Sequence, residues 1–215
     1  TVSPTPTGIP TTVPDIDLDR LEPNIPVFRE GLVESARPIL AEMNDDSMYR
    51  LEFVIADDLS RVDGKENVRY TNREEVPLDE IQFRLFPNIL GGKLEVRNLT
   101  VDRKPVTPRY GLADSLMIVP LQAPLAVGQS LTLTMDFTVE VPTDVELNYG
   151  VLAYYDGVLA LAHAYPVIPV YNNEEGWNAE LPPQSGDLTF NDAAFYLVTV
   201  TAPKGVTVVA SGLES

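Results

Sequence analysis

The sequence has no cysteine, a single histidine (His163) and a single tryptophan (Trp177) in 215 residues. Without cysteine there is no disulfide framework, no thiolate zinc site and no cysteine nucleophile. One histidine is also too few for an ordinary catalytic zinc site, which draws on about three protein ligands, usually two or more of them histidines. Basic residues are scarce. Against 32 Asp+Glu there are 15 Lys+Arg, a formal charge of −17. A phosphate backbone needs a basic face, so nucleic acid is excluded as a partner, and an anionic membrane surface is disfavoured in the same way. No apolar run approaches the roughly 18 residues of a spanning helix. Neither a G-x-S-x-G elbow nor a glycine-rich phosphate loop occurs.

What is present is ordinary apolar content, 44%, in a chain long enough to bury a substantial core. The acids then read as a solvated surface that keeps the chain soluble. The opening "TVSPTPTGIPTTVP" holds six Ser/Thr and four Pro in fourteen residues. Such a stretch cannot bury enough surface to order itself, and residues 1–24 are assigned to an extended linker. Spacers of this composition follow signal peptides or lipid anchors, which predicts export and an extracellular or surface-anchored protein. The first residue is threonine, which predicts that an upstream segment has been removed. Residues 25–215 are expected to form one domain, and the final "VVASGLES" has the look of a domain boundary.

Apolar residues at Phe28, Leu32, Ala36 and Ile39/Leu40 have helical spacing, and Pro38 is expected to divide that segment into two short pieces. After Ser47 the pattern is that of strands. In "SLTLTMDFTVEV" (130–141) Leu131, Leu133, Met135, Phe137, Val139 and Val141 alternate with Thr, Asp and Glu, the signature of a half-buried antiparallel strand. Similar runs occur at 66–73, 79–86, 93–102, 115–121, 151–155, 158–164, 194–202 and 206–210. Asp63-Gly64, Gly91-Gly92 and Asp156-Gly157 are expected to make tight turns between them. The predicted fold is all-β, an antiparallel β-sandwich with a short N-terminal helical segment.

Candidate chemistry concentrates in "LALAHAYPVIPVYNNEEGW" (159–177). His163 falls in the alternation Leu159, Leu161, His163, so it reads as a strand histidine packed in a sheet rather than a general base. The acids at 44–46 and 56–64 miss the calcium-loop pattern, since Val62 stands where a ligand belongs. No pair of carboxylates is singled out for glycoside cleavage. No residue is assigned a catalytic or metal-binding role. Tyr154, Tyr155, Tyr165, Tyr171 and Trp177 suit either a core or a sugar-stacking platform.

In order, these features resemble a known family. Tyr49-Arg50-Leu51 with the following Gly64, then "VRYTN" (68–72), "IQFRLFPN" (81–88), the L-x-x-P-L-x-x-G of 121–128, "AYPVIPVYNNEEGW" (164–177) and "GDLTFNDAAFYLVTVTAP" (186–203) are similar to the N-terminal β domain of the aminopeptidase N family, the gluzincin zinc metallopeptidases, in their bacterial branch. The resemblance implies a saddle-shaped sandwich packed on a downstream thermolysin-like catalytic domain. That domain would carry the H-E-x-x-H, the zinc and the peptide substrate. It also implies that 186–203 closes the domain as a hairpin. This chain would then be non-catalytic, without a cofactor of its own, and would shape the substrate cleft. Tyr165, Tyr171 and Trp177 are the expected interface or cleft rim. The family's amine-gripping Gln or Glu falls on Gly157 or Ala160 here. Either the register differs, leaving Asp156 as the candidate amine contact, or this branch does not grip a free amine in that way. The rival reading is a free-standing sandwich that binds carbohydrate or protein.

Overall fold

The structure, a computed structural model, describes residues 26–43, 45–146, 148–181 and 190–212. The expected linker, residues 1–24, lies outside them. Strand alternation fixes most of the architecture. In β8 (Ser130–Glu140) Leu131, Leu133, Met135, Phe137 and Val139 are all buried while the residues between them reach solvent. β2 (Arg61–Thr71) pairs antiparallel along its whole length with β8, and β1 (Ser47–Ile55) pairs antiparallel with β2. On the other side of β8 lie β4 (Lys93–Val101) and the short β5 (Lys104–Pro105).

β3 (Leu78–Arg84), β7 (Leu116–Leu125) and β6 (Arg109–Gly111) form a second sheet in the order β3-β7-β6. Ile81 and Phe83 of β3 and Met117 and Val119 of β7 share one apolar cluster with Leu51, Val68, Leu133 and Phe137 of the first sheet. Two sheets enclosing a common core make the sandwich that the sequence predicts. Burial of these side chains is its main stabilisation, on the order of 25 cal/mol for each Å² of apolar surface removed from water. Two small hairpins follow: β9 (Leu152–Tyr155) with β10 (Val158–Leu161), and β11 (Tyr171–Asn172) with β12 (Gly176–Trp177).

The last strand, β13 (Ala194–Thr201), runs parallel to β1 and makes the first sheet mixed at this edge. The closing hairpin expected at 186–203 is absent among the described residues, and part of its sequence, 186–189, lies outside them. The strand expected at 206–210 does not form either. Its valines are strand-prone, but no neighbouring strand offers a ladder there.

The N-terminal segment is helical as its spacing predicts, with a different division. α1 (Pro26–Glu30) is followed by a 3-10 helix, Glu34–Ala41, and the break falls at Gly31–Val33, while Pro38 is held inside the second piece. The tighter winding removes the i−4 hydrogen bond that proline would spoil. Leu40 of this segment packs with Met48 and Phe195, and Phe28 lies 4.7 Å from the Phe195 ring, so the segment covers the outer face of β1 and β13.

Gly91-Gly92 and Asp156-Gly157 turn as expected, the latter with φ of 48° and 78°. Asp63-Gly64 does not. It lies inside β2, and the β1–β2 turn is made at 57–60, where the Asp58 carboxylate accepts hydrogen bonds from the N–H and hydroxyl of Ser60. Gly64 answers a packing need instead. A Cβ there would stand 2.1 Å from the Phe137 ring.

Candidate functional site

The stretch 159–177 folds as a strap that bridges β3 at Arg84 and packs its aromatic side chains on β1, β2 and β13. β10 stops at Leu161, so His163 is not in a strand. It occupies the turn that follows, with φ of 57°. Its ring lies 5.4 Å from the Phe86 ring, and burial lowers its pKa, leaving the imidazole neutral at pH 7. Among the described residues no hydrogen bond reaches that ring, and it sits in a turn where a packed strand histidine was expected. A general base needs a nucleophile within hydrogen-bond reach and a group to orient it. His163 has neither here.

The strap is tied down at two points. Arg84, at the end of β3, exchanges backbone hydrogen bonds with Val167. Its buried side chain donates from Nε to the Ser115 carbonyl at 3.4 Å and from one terminal nitrogen to the Glu180 carbonyl at 2.5 Å. The guanidinium also lies 5.0 Å from the centre of the Phe86 ring. Arg84 thus joins β3, the 3-10 turn Phe86–Ile89 and the strap. Burial lowers its pKa. The second tie is aromatic. Tyr49 of β1 stacks on Tyr196 of β13 at 4.9 Å, and Tyr165 of the strap meets both edge-on.

Under these tyrosines lies Glu66, on the inward face of β2 between Leu51 and Met135. It is 1% exposed, and neither carboxyl oxygen has a hydrogen-bond partner. Desolvation raises its pKa well above the usual carboxylate range, so the group is held in its neutral form. The sequence carries a signal for it. In Val62, Gly64, Glu66, Val68, Tyr70 it is the one charged residue at an inward position.

Tyr165, Tyr171 and Trp177 are all half-buried and packed against the main core. Tyr171 and Trp177 meet edge-on at 5.1 Å, and Trp177 also contacts Tyr70 at 6.1 Å. Asp156 is exposed at the tip of the β9–β10 turn and is not brought near the other three. The acids considered for calcium have local duties. Asp46 is buried in an ion pair with Arg73, and Asp63 pairs with Arg61 and accepts from Thr138. Among the described residues there is no group of three or more His, Asp or Glu that would hold a metal. None of their helices is long and apolar enough to cross a membrane.

No family model matches the chain, and no curated protein matches it. Among solved structures, the chain is similar to zinc metallopeptidases. An M1 zinc metallopeptidase from Deinococcus radiodurans matches at 21% identity with a TM-score of 0.47, over 79% of this chain and 35% of that one. A two-domain M1 zinc metallopeptidase variant bound to L-arginine matches at 21% identity with a TM-score of 0.48, over the same shares. A variant of the Deinococcus radiodurans enzyme bound to a Tyr-Ser-Ala substrate matches at 21% identity and 0.46, over 79% and 36%. The chain therefore spans about a third of the length of each of these structures.

Proposed function

We propose that this chain is the non-catalytic N-terminal β domain of an exported, aminopeptidase N-like zinc metallopeptidase, packed on a downstream thermolysin-like catalytic domain whose substrate cleft it helps to shape. The observation that carries this reading is the uncovered edge of the six-stranded sheet. β13 has no ladder partner on its outer side among the described residues. Its sequence, AFYLVTVT, contains no charge, no proline and no bulge, the devices that normally guard such an edge. Tyr196, Val198 and Val200 are 37%, 48% and 36% exposed on the face they share with Tyr49, Leu51 and Phe53, and Val209 beyond them is 89% exposed. In a chain of net charge −17, an apolar patch of this kind calls for a covering partner.

The motif residues support the same reading by their places. Tyr49 and Leu51 lie on β1, 68–71 end β2, 81–84 end β3, and 164–177 form the strap. In this proposal Tyr165, Tyr171 and Trp177 form the rim toward the catalytic domain, and Asp156, at an exposed turn, is the candidate contact for a substrate amine. Zinc and the peptide substrate belong to the catalytic domain.

The reading frame beyond Ser215 tests the proposal. An H-E-x-x-H within roughly the next two hundred residues is expected. A stop codon in its place would leave the rival, a free-standing binding sandwich.

A further inference from the structure

The two sheets part at one end of the sandwich, and the opening forms a groove of about 450 Å³ between β5 and the second half of β7. Its apolar floor is made by Val101, Val106, Leu121, Leu125 and Leu131. This volume lies within the range of built ligand sites.

The β7 wall is unusual. β3 pairs with β7 at Pro120 and again only at Leu125, with Asp79 alone opposing the four residues between. β6 pairs with β7 only from Leu116 to Ile118. Residues 121–124 are therefore extended strand outside the ladder on both sides, and Gln122, Ala123 and Pro124 are exposed. β5, the edge of the other sheet, forms the facing wall. The charge at the mouth is polarised. The Asp102 carboxylate accepts the Thr132 N–H, whereas Lys104 has no acid partner among the described residues.

We propose that this groove binds an extended peptide segment, which adds to the free stretch of β7, places alternate apolar side chains on the floor and sets one carboxylate against Lys104. Strand addition draws affinity from backbone hydrogen bonds and selectivity from pockets for alternate side chains. The net charge of −17 repels a generally acidic partner at long range, so the fitting ligand is uncharged apart from that single carboxylate.

Amide NMR of the isotope-labelled chain, titrated with the N-acetylated, C-terminally amidated peptide Ser-Val-Thr-Val-Glu, which carries one carboxylate, tests the proposal. Saturable shifts are expected at Lys104, Gln122, Ala123 and Gln129. Lys104→Glu should weaken binding about threefold to fivefold. Ala123→Pro, which removes one backbone donor at an exposed site, should abolish the shifts while the melting curve stays that of the parent. Shifts that collect on β13, shifts that do not saturate, or binding indifferent to both substitutions would overturn the proposal.

Discussion

The phenol oxygen of Tyr49 accepts the backbone N–H of Ile168 at 3.2 Å, across 119 positions of sequence. This hydrogen bond is buried and fixes the strap to the first strand. Tyr49→Phe keeps the ring stack on Tyr196 and strands the Ile168 donor in the core. The expected cost is about 1–3 kcal/mol, read as a lower urea midpoint with an unchanged denaturant slope. An unaltered midpoint would mean that the strap is held by other contacts.

Glu66 gives a dependence on pH whose sign follows from its burial. A carboxyl with a raised folded-state pKa contributes fully below its unfolded value, about 4.3, and the contribution is lost as pH rises toward the folded value. Glu66→Gln mimics the neutral acid. Its stability should match the parent near pH 4 and then exceed it by about 1.4 kcal/mol for each pH unit until the folded pKa is reached. Thermal melts of both proteins across this range measure the difference. A variant less stable than the parent at pH 7 would show that the ionised carboxylate is stabilised inside the fold.

His163 is expected to behave as scaffold. His163→Ala should cost about 1–2 kcal/mol through the lost contact with Phe86. Its depressed pKa gives the opposite pH sign to that of Glu66, since the contribution is present above the unfolded value and lost as pH falls below about 6.5. In the proposed longer enzyme, turnover per folded molecule should fall less than about tenfold, the scale on which chemical steps lose about 1.4 kcal/mol. A loss of several hundredfold with stability intact would make it a catalytic group.

Trp177 reports on the proposed rim. Half-buried against Tyr70 and Tyr171, it should emit between the solvent-exposed and fully buried limits and be quenched partly by acrylamide. In the proposed longer protein, the downstream domain should reduce that quenching. Quenching that is the same in the chain alone and in the longer protein would remove Trp177 from the interface.

The sheets were legible in the sequence because alternation of period two is a local signal, clear from Leu131 to Val139. What depended on partners was not. Asp63-Gly64 has the composition of a turn, and only the Phe137 ring across the sheet shows why a glycine sits there in a strand. Residues 206–210 have strand propensity without a ladder. His163 continued the alternation of Leu159 and Leu161, yet the chain turned after Leu161 to bring the strap over Phe86. Glu66 could be found by its inward position, but its neutral state follows from desolvation, which no local pattern encodes.

The central claim of the proposed function is that the zinc chemistry lies outside this chain, in a downstream domain. Metal analysis of chelator-washed protein tests this most directly, made on the 215-residue chain and on the longer polypeptide its gene is proposed to encode. The expected result is no stoichiometric zinc and no cleavage of aminoacyl reporters by the chain, with about one zinc and cleavage in the longer protein. One tight zinc per isolated chain, or a longer protein that holds none, would contradict it.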